Sequence, residues 1–178
     1  NASAAQLQHD PENLNLTWFP RKRLPAEAIR DQALYVAGLL VEQQGGPSVK
    51  PYQPEGLWQE VAMPPSNTRV YERGMGADLW RRSLYTYWKR AAPPPSMLTF
   101  DAPTREFCNI RRTNTNTPLQ ALVLWNDEQF VEAARVLATR TLDEVGDDRQ
   151  RLERMFQRCA VRTPQAAEVA RLLAALEH

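Results

Sequence analysis

A chain of 178 residues, 43% hydrophobic and carrying five tryptophans, is long enough to fold as one domain with its own core, which excludes a largely disordered polymer. Its formal net charge of +1 gives no electrostatic case for nucleic acid, and no apolar run approaches the roughly 20 residues of a membrane-spanning helix. Cys108 and Cys159 lie far apart and in no metal-ligand spacing, so both are expected as free thiols.

In chain order, Asp10 followed by Pro11 reads as a helix start, capping a helix through Leu14, Leu16 and Trp18 that Pro20 stops. Residues 25–40 form a second amphipathic pattern, with Ala26, Ile29, Ala33, Val36, Ala37 and Leu40 three or four apart, closed by Gly45 and Gly46. Five prolines between positions 47 and 65 deny backbone donors, so this stretch is expected as an irregular wrap over a helical layer, held down by Tyr52 and Trp58. Residues 68–76 read as an exposed loop.

Residues 79–91 carry a helical stripe of Trp80, Leu84, Tyr87, Trp88 and Ala91 that competes with a strand-like alternation; length favours helix. Three prolines, 93–95, end it and open a short helix over 96–100. Thr117-Pro118 starts the next helix, with Leu119, Leu122, Val123 and Trp125 as its apolar face. Asn126 or Asp127 caps another, to about Val145, burying Phe130, Val131, Ala134, Leu137, Ala138 and Leu142. Gly146 ends it, Asp147 or Asp148 caps a helix through Leu152, Met155, Phe156 and Cys159, and Thr163-Pro164 opens the last. The fold class expected is all-α: an irregular helical bundle with a proline-rich, largely non-regular centre. Its parts are N-terminal helices over 10–46, an irregular segment over 47–116 and a bundle over 117–178.

The only histidines are His9 and His178, at the chain ends, so no serine or cysteine nucleophile has a histidine in the folded body to activate it. Gly74-Met75-Gly76 is too short for a phosphate loop. No catalytic residue and no metal ligand is assigned.

Polar chemistry concentrates in residues 101–116, DAPTREFCNIRRTNTN. Asp101, Arg105, Arg111, Arg112, Asn114 and Asn116, with Gln120 beyond, are the binding candidates, because guanidinium forks and amides supply directional donors for a carboxylate, a sulfate or sugar hydroxyls. The competing expectation is that the arginines pair with Asp101, Glu106 or carbonyl groups and pin the loop. Asp101 and Glu106 as a glycosidase pair is disfavoured, since neighbouring cations favour their ionised forms. Trp80, Tyr85, Tyr87 and Trp88 among basic residues fit core packing better than a stacking platform.

RRSLYTYWKR, PPPSMLTFDAPTRE and RRTNTNTPLQALVLWNDEQFVEAAR together resemble the domain of unknown function 1553 family of Planctomycete cytochrome-associated proteins, nearly continuously from Asp10 onward. The resemblance implies the C-terminal portion of a larger family domain, in an exported parent (periplasmic or cell surface) that often carries a c-type haem in another domain. No cofactor is implied for the portion present here. The function expected is a non-enzymatic helical binding or scaffold module whose partners are other domains of the parent. An alternative is the anion- or glycan-recognising part of an extracytoplasmic redox or carbohydrate-active enzyme, with an acidic glycan as ligand.

Overall fold

The longest helix starts where Asp127 accepts a hydrogen bond from Gln129 N at 3.1 Å and runs over Glu128–Glu144 (labelled α6 below). The computed structural model describes residues 3–19 and 22–176. Among these residues the α-helices in chain order are α1 (Ala4–His9), α2 (Ala26–Ala37), α3 (Leu57–Val61), α4 (Pro95–Thr99), α5 (Pro118–Asn126), α6, α7 (Asp148–Ala160) and α8 (Ala166–Leu176). Two 3-10 turns, Gly76–Trp80 and Ser83–Tyr85, and three isolated β-bridges complete the regular structure described. The fold is all-α.

Helix α6 lies at the centre, packed on α2, α5 and α7, while α8 packs on α7 and α4 joins α2 to α5. Ala26, Met97, Phe100, Ala102 and Phe130 make one core cluster; Ala37, Ala133 and Leu137 make a second, reached by Val36 and Met155. Phe100 and Phe130 meet edge to face at 6.2 Å between ring centroids. Small residues at 26, 33, 37 and 133 let α2 and α6 approach closely, and a fully buried side chain such as Leu34 contributes about 1.5–3 kcal/mol.

The predicted start at Asp10-Pro11 is overturned. Asp10 instead follows α1, is buried, and accepts hydrogen bonds from Leu14 N (2.7 Å), Asn15 N (2.9 Å) and Thr17 Oγ1 (3.2 Å). One carboxylate bonding the backbone four and five residues ahead winds 11–17 into turns, with Leu14 and Leu16 exposed. The expected stop at Pro20 lies outside the described residues.

Helix α2 closes at Gly38, not at Gly45 and Gly46. Gly38 has φ 80°, and its N–H donates to Leu34 O and Tyr35 O, a left-handed cap that glycine adopts without Cβ strain. Arg140 Nη1 fills the space beside it, donating to Ala37 O at 2.6 Å. Gly45 and Gly46 form a separate turn gripped by buried Arg81, which donates to Pro47 O (3.0 Å), Gln43 O (3.1 Å) and Gly45 O.

The helix expected over 79–91 is replaced by the 3-10 turns and an extended stretch because its backbone groups have other partners. Arg30, on α2 and buried, donates to Leu79 O at 2.7 Å and Arg81 O at 2.8 Å, while Ser83 N donates to Asp31 Oδ1 at 2.7 Å. Val41 N and Val49 N take Trp80 O and Tyr85 O, and Tyr87 N donates to Val49 O. These bonds outcompete helical ones that would leave the buried guanidinium unsatisfied.

The expected apolar face of α5 is also overturned. Its buried residue is Gln120, whereas Leu119, Leu122 and Trp125 are exposed, Trp125 by 81%; only Val123 packs on the core. On α6, Val131 and Leu142 are exposed and Ala133 and Thr141 take buried places instead. The starts of α4, α5, α6 and α7 agree with expectation, and α8 begins two residues after Pro164.

The turn before α8 is set by Glu168, which pairs with Arg162 at 2.6 Å and accepts from Gln165 N at 2.8 Å. The Arg162 hydrogen bond, joined by that of the Gln165 N–H, lowers the Glu168 carboxyl from 4.5 to about 2. A depressed acid contributes stability that is complete above its ordinary value and lost as pH falls through its folded value. The protection factors of α8 amides, which are exchange rates corrected for the intrinsic slowing in acid, are therefore expected to fall between about pH 4.5 and pH 2, and Glu168→Gln should remove that pH dependence.

Candidate functional site

The loop between α4 and α5 leaves α4 through Asp101, which has φ 61°, a left-handed conformation that aspartate tolerates better than most residues. Its carboxylate accepts from Thr115 N at 2.7 Å and from Thr115 Oγ1 at 2.9 Å, and forms an ion pair with Arg23. The Thr115 backbone bond, helped by the Thr115 hydroxyl and the Arg23 charge, holds the Asp101 carboxyl below its usual range against the opposing effect of burial. Asp101 is therefore an ionised brace, which removes it as a general acid.

Arg23 extends the brace, donating to Thr115 O (3.0 Å) and Phe100 O (3.1 Å). Gln120, buried at the first turn of α5, accepts from Thr117 N at 3.3 Å and donates to Thr99 O (3.0 Å) and Thr115 O (3.3 Å). Asn114 Nδ2 donates to Arg23 O at 3.4 Å. The two ends of the loop are thus tied to one another and to the segment before α2, as an irregular loop lacking ladder bonds requires.

The remaining candidates divide. Arg112 pairs with Glu27 of α2 at 2.7 Å. Arg105, at φ 65°, lays its guanidinium over the Trp88 ring at 4.3 Å, while Trp88 Nε1 donates to Thr104 O at 3.1 Å. Arg111 and Asn116 are exposed and form no ion pair or side-chain hydrogen bond among the described residues. With Lys22, Arg112 and Asn114 they line an open groove of about 730 Å³ floored by Arg23 and Thr115, and no carboxylate belongs to its wall. A second concavity of about 360 Å³, on the Pro103 side, shares Arg111 and Arg112 with the first.

The structure therefore brings Asp101, Asn114, Asn116, Arg111, Arg112 and Gln120 into one neighbourhood and turns Arg105 toward Trp88. Sequence reasoning missed Arg23 and Lys22, which arrive from 78 or more residues upstream; the only signal is their place in a short basic run. Cys108 and Cys159 are unpaired, as expected, and both are exposed, Cys159 in spite of its place on the apolar stripe of α7. No group of three or more potential metal-ligating side chains occurs among the described residues.

A family model described as protein of unknown function (DUF1553) matches residues 1–176. The chain belongs to that family. No curated protein and no solved structure matches it. The DUF1553 chain also holds no helix, among the described residues, long and apolar enough to cross a membrane.

Proposed function

We propose that the chain is a non-enzymatic helical binding module of an exported multidomain protein, and that the groove along residues 111–116 receives an anionic partner such as an acidic glycan. The observation that carries this reading is the division of labour in the loop. Asp101, Arg23 and Gln120 are consumed in bracing, whereas Lys22, Arg111 and Asn116 line a groove with positive charge and no carboxylate to balance it. Guanidinium and ammonium groups bind sulfate or carboxylate, and the interleaved threonines and asparagines suit sugar hydroxyls. No aromatic ring lines the groove, which favours an acidic glycan over single-stranded nucleic acid, whose bases need stacking partners.

The row Leu119, Leu122 and Trp125 suits packing against other domains of the parent, because exposed apolar rows of this kind mark contact surfaces. The family resemblance supports the exported parent.

The test is calorimetric titration with a sulfated oligosaccharide. Lys22→Ala with Arg111→Ala should weaken binding by roughly tenfold, with an unchanged melting temperature because neither side chain braces the fold. Binding unaffected by the double variant would overturn the assignment of the groove.

A further inference from the structure

The chain has three lysines, and two of them converge on one tryptophan that is not among the residues lining the groove. Lys89 Nζ lies 4.6 Å and Lys50 Nζ 5.6 Å from the ring centroid of Trp58, and Lys50 is also 5.7 Å from the ring of Tyr87. Trp58 is 2% exposed, on α3, and is wedged edge-on against Tyr71 at 4.8 Å and beside Tyr87 at 5.5 Å. Both lysines are half-buried. Lys89 donates to Thr68 O at 2.7 Å, which draws the 66–70 loop over this aromatic floor.

Beside this floor lies an open cavity of about 320 Å³, of a size that admits a monosaccharide-scale molecule. Lys50 and Arg69 supply cations to its wall, Ser66, Asn67 and Thr68 supply hydroxyls and an amide, and Tyr87 supplies a ring. Neither lysine pairs with a carboxylate among the described residues, and the Lys50 ammonium has no hydrogen-bond partner there. An aromatic face attracts a cation but neutralises none of its charge, so Lys50 and Arg69 in the wall, with Lys89 on the same indole just outside it, leave a positive potential at this cavity. The single acid of the wall is Glu72, exposed. It repels a bare anion but accepts hydrogen bonds from hydroxyls.

We propose that this cavity is a second binding site, separate from the groove, that takes a small sugar acid: one oxyanion group on the Lys50 and Arg69 side and hydroxyls toward Glu72 and the polar 66–68 loop. The oxyanion supplies the counter-charge that Lys50 lacks. The hydroxyls distinguish the ligand from an inorganic anion.

Galacturonate, glucose and inorganic sulfate titrated into the intact 15N-labelled chain test this, read at the Trp58 indole N–H resonance. Galacturonate should shift that resonance saturably, sulfate should bind at least several-fold more weakly, and glucose should leave it unmoved. Lys50→Met, which keeps the stem that packs on the rings, should weaken galacturonate roughly tenfold. Arg69→Gln, on the exposed loop and away from the core, should weaken it as well, so the result does not depend on how Lys50→Met folds. Lys22→Ala with Arg111→Ala should leave it intact, which separates this site from the groove. The proposal is overturned by no saturable shift, by glucose or sulfate binding as tightly as galacturonate, or by wild-type affinity in both Lys50→Met and Arg69→Gln.

Discussion

Arg30→Met should lower the unfolding free energy by about 3–5 kcal/mol, the largest effect expected of any single substitution in this chain. Arg30 is 2% exposed and donates to Leu79 O, Arg81 O, Ser83 Oγ and Gln129 Oε1 at 2.7–3.2 Å. Methionine fills much the same volume but leaves those acceptors without donors in a region water does not reach. Burial lowers the guanidinium to about 10 even with Asp31 and Asp127 opposing the shift, so the group stays charged at neutral pH and its hydrogen bonds are charge-assisted. Because Arg30 joins α2 to the turns at 76–85 and to α6, the loss should appear in urea denaturation as a lower midpoint. It should also appear as proteolysis within residues 76–92. A loss below about 1 kcal/mol would mean that those carbonyls are satisfied without Arg30.

Asp101→Ala should cost about 2–3 kcal/mol and open the 102–116 loop to proteases, while leaving α6 and α7 folded. The substitution removes both hydrogen bonds from Thr115, leaves Arg23 without its counter-charge, and places alanine at φ 61°, where a Cβ without a compensating side-chain bond is strained. Asp101→Asn should retain the shape and part of the bonding, for a loss of roughly half. The lowered carboxyl adds a pH signature. Its stabilisation is complete above the ordinary aspartate value and is lost as pH falls through the lower folded value, so wild type and Asp101→Asn should converge in stability only in strong acid. Equal melting temperatures for wild type and Asp101→Ala at pH 7 would show that the loop is held by other contacts.

What the sequence made legible was local. The starts at Thr117-Pro118, Asp127 and Asp147 are written in three or four adjacent residues, and α5, α6 and α7 begin there. The stretch 79–91 has an equally clear helical stripe, but its fate is decided by Arg30 and Asp31, some fifty residues away, which claim its carbonyls and the Ser83 N–H. Periodicity in α5 marks Leu119, Leu122 and Trp125 as a core face; Gln120 is buried instead because the braced loop, not an apolar layer, covers that side of the helix.

The candidate site divides along the same line. Its polar density is visible in 101–116, but the bracing expected of Arg105, Arg111 and Arg112 on Asp101, Glu106 or carbonyl groups is carried instead by Arg23 and Thr115 on Asp101, with Asn114 and Gln120. The groove was not visible, because Lys22 and Arg23 enter it from before α2. Arg105 looked like a companion of Arg111 and Arg112, but the neighbouring face of Trp88 holds it elsewhere.

As proposed above, Lys22, Arg111 and Asn116 receive the anion as one groove, with Asn114 bonded to Arg23 O beside them. Side-chain resonances of the arginines and asparagines, followed while a sulfated oligosaccharide is titrated in at two salt concentrations, report on it residue by residue. Saturable shifts are expected at Arg111 and Asn116, weakening as salt rises, with the Arg30 and Arg81 signals unmoved. Shifts spread evenly over the exposed arginines of α7, or none at any salt, would contradict it.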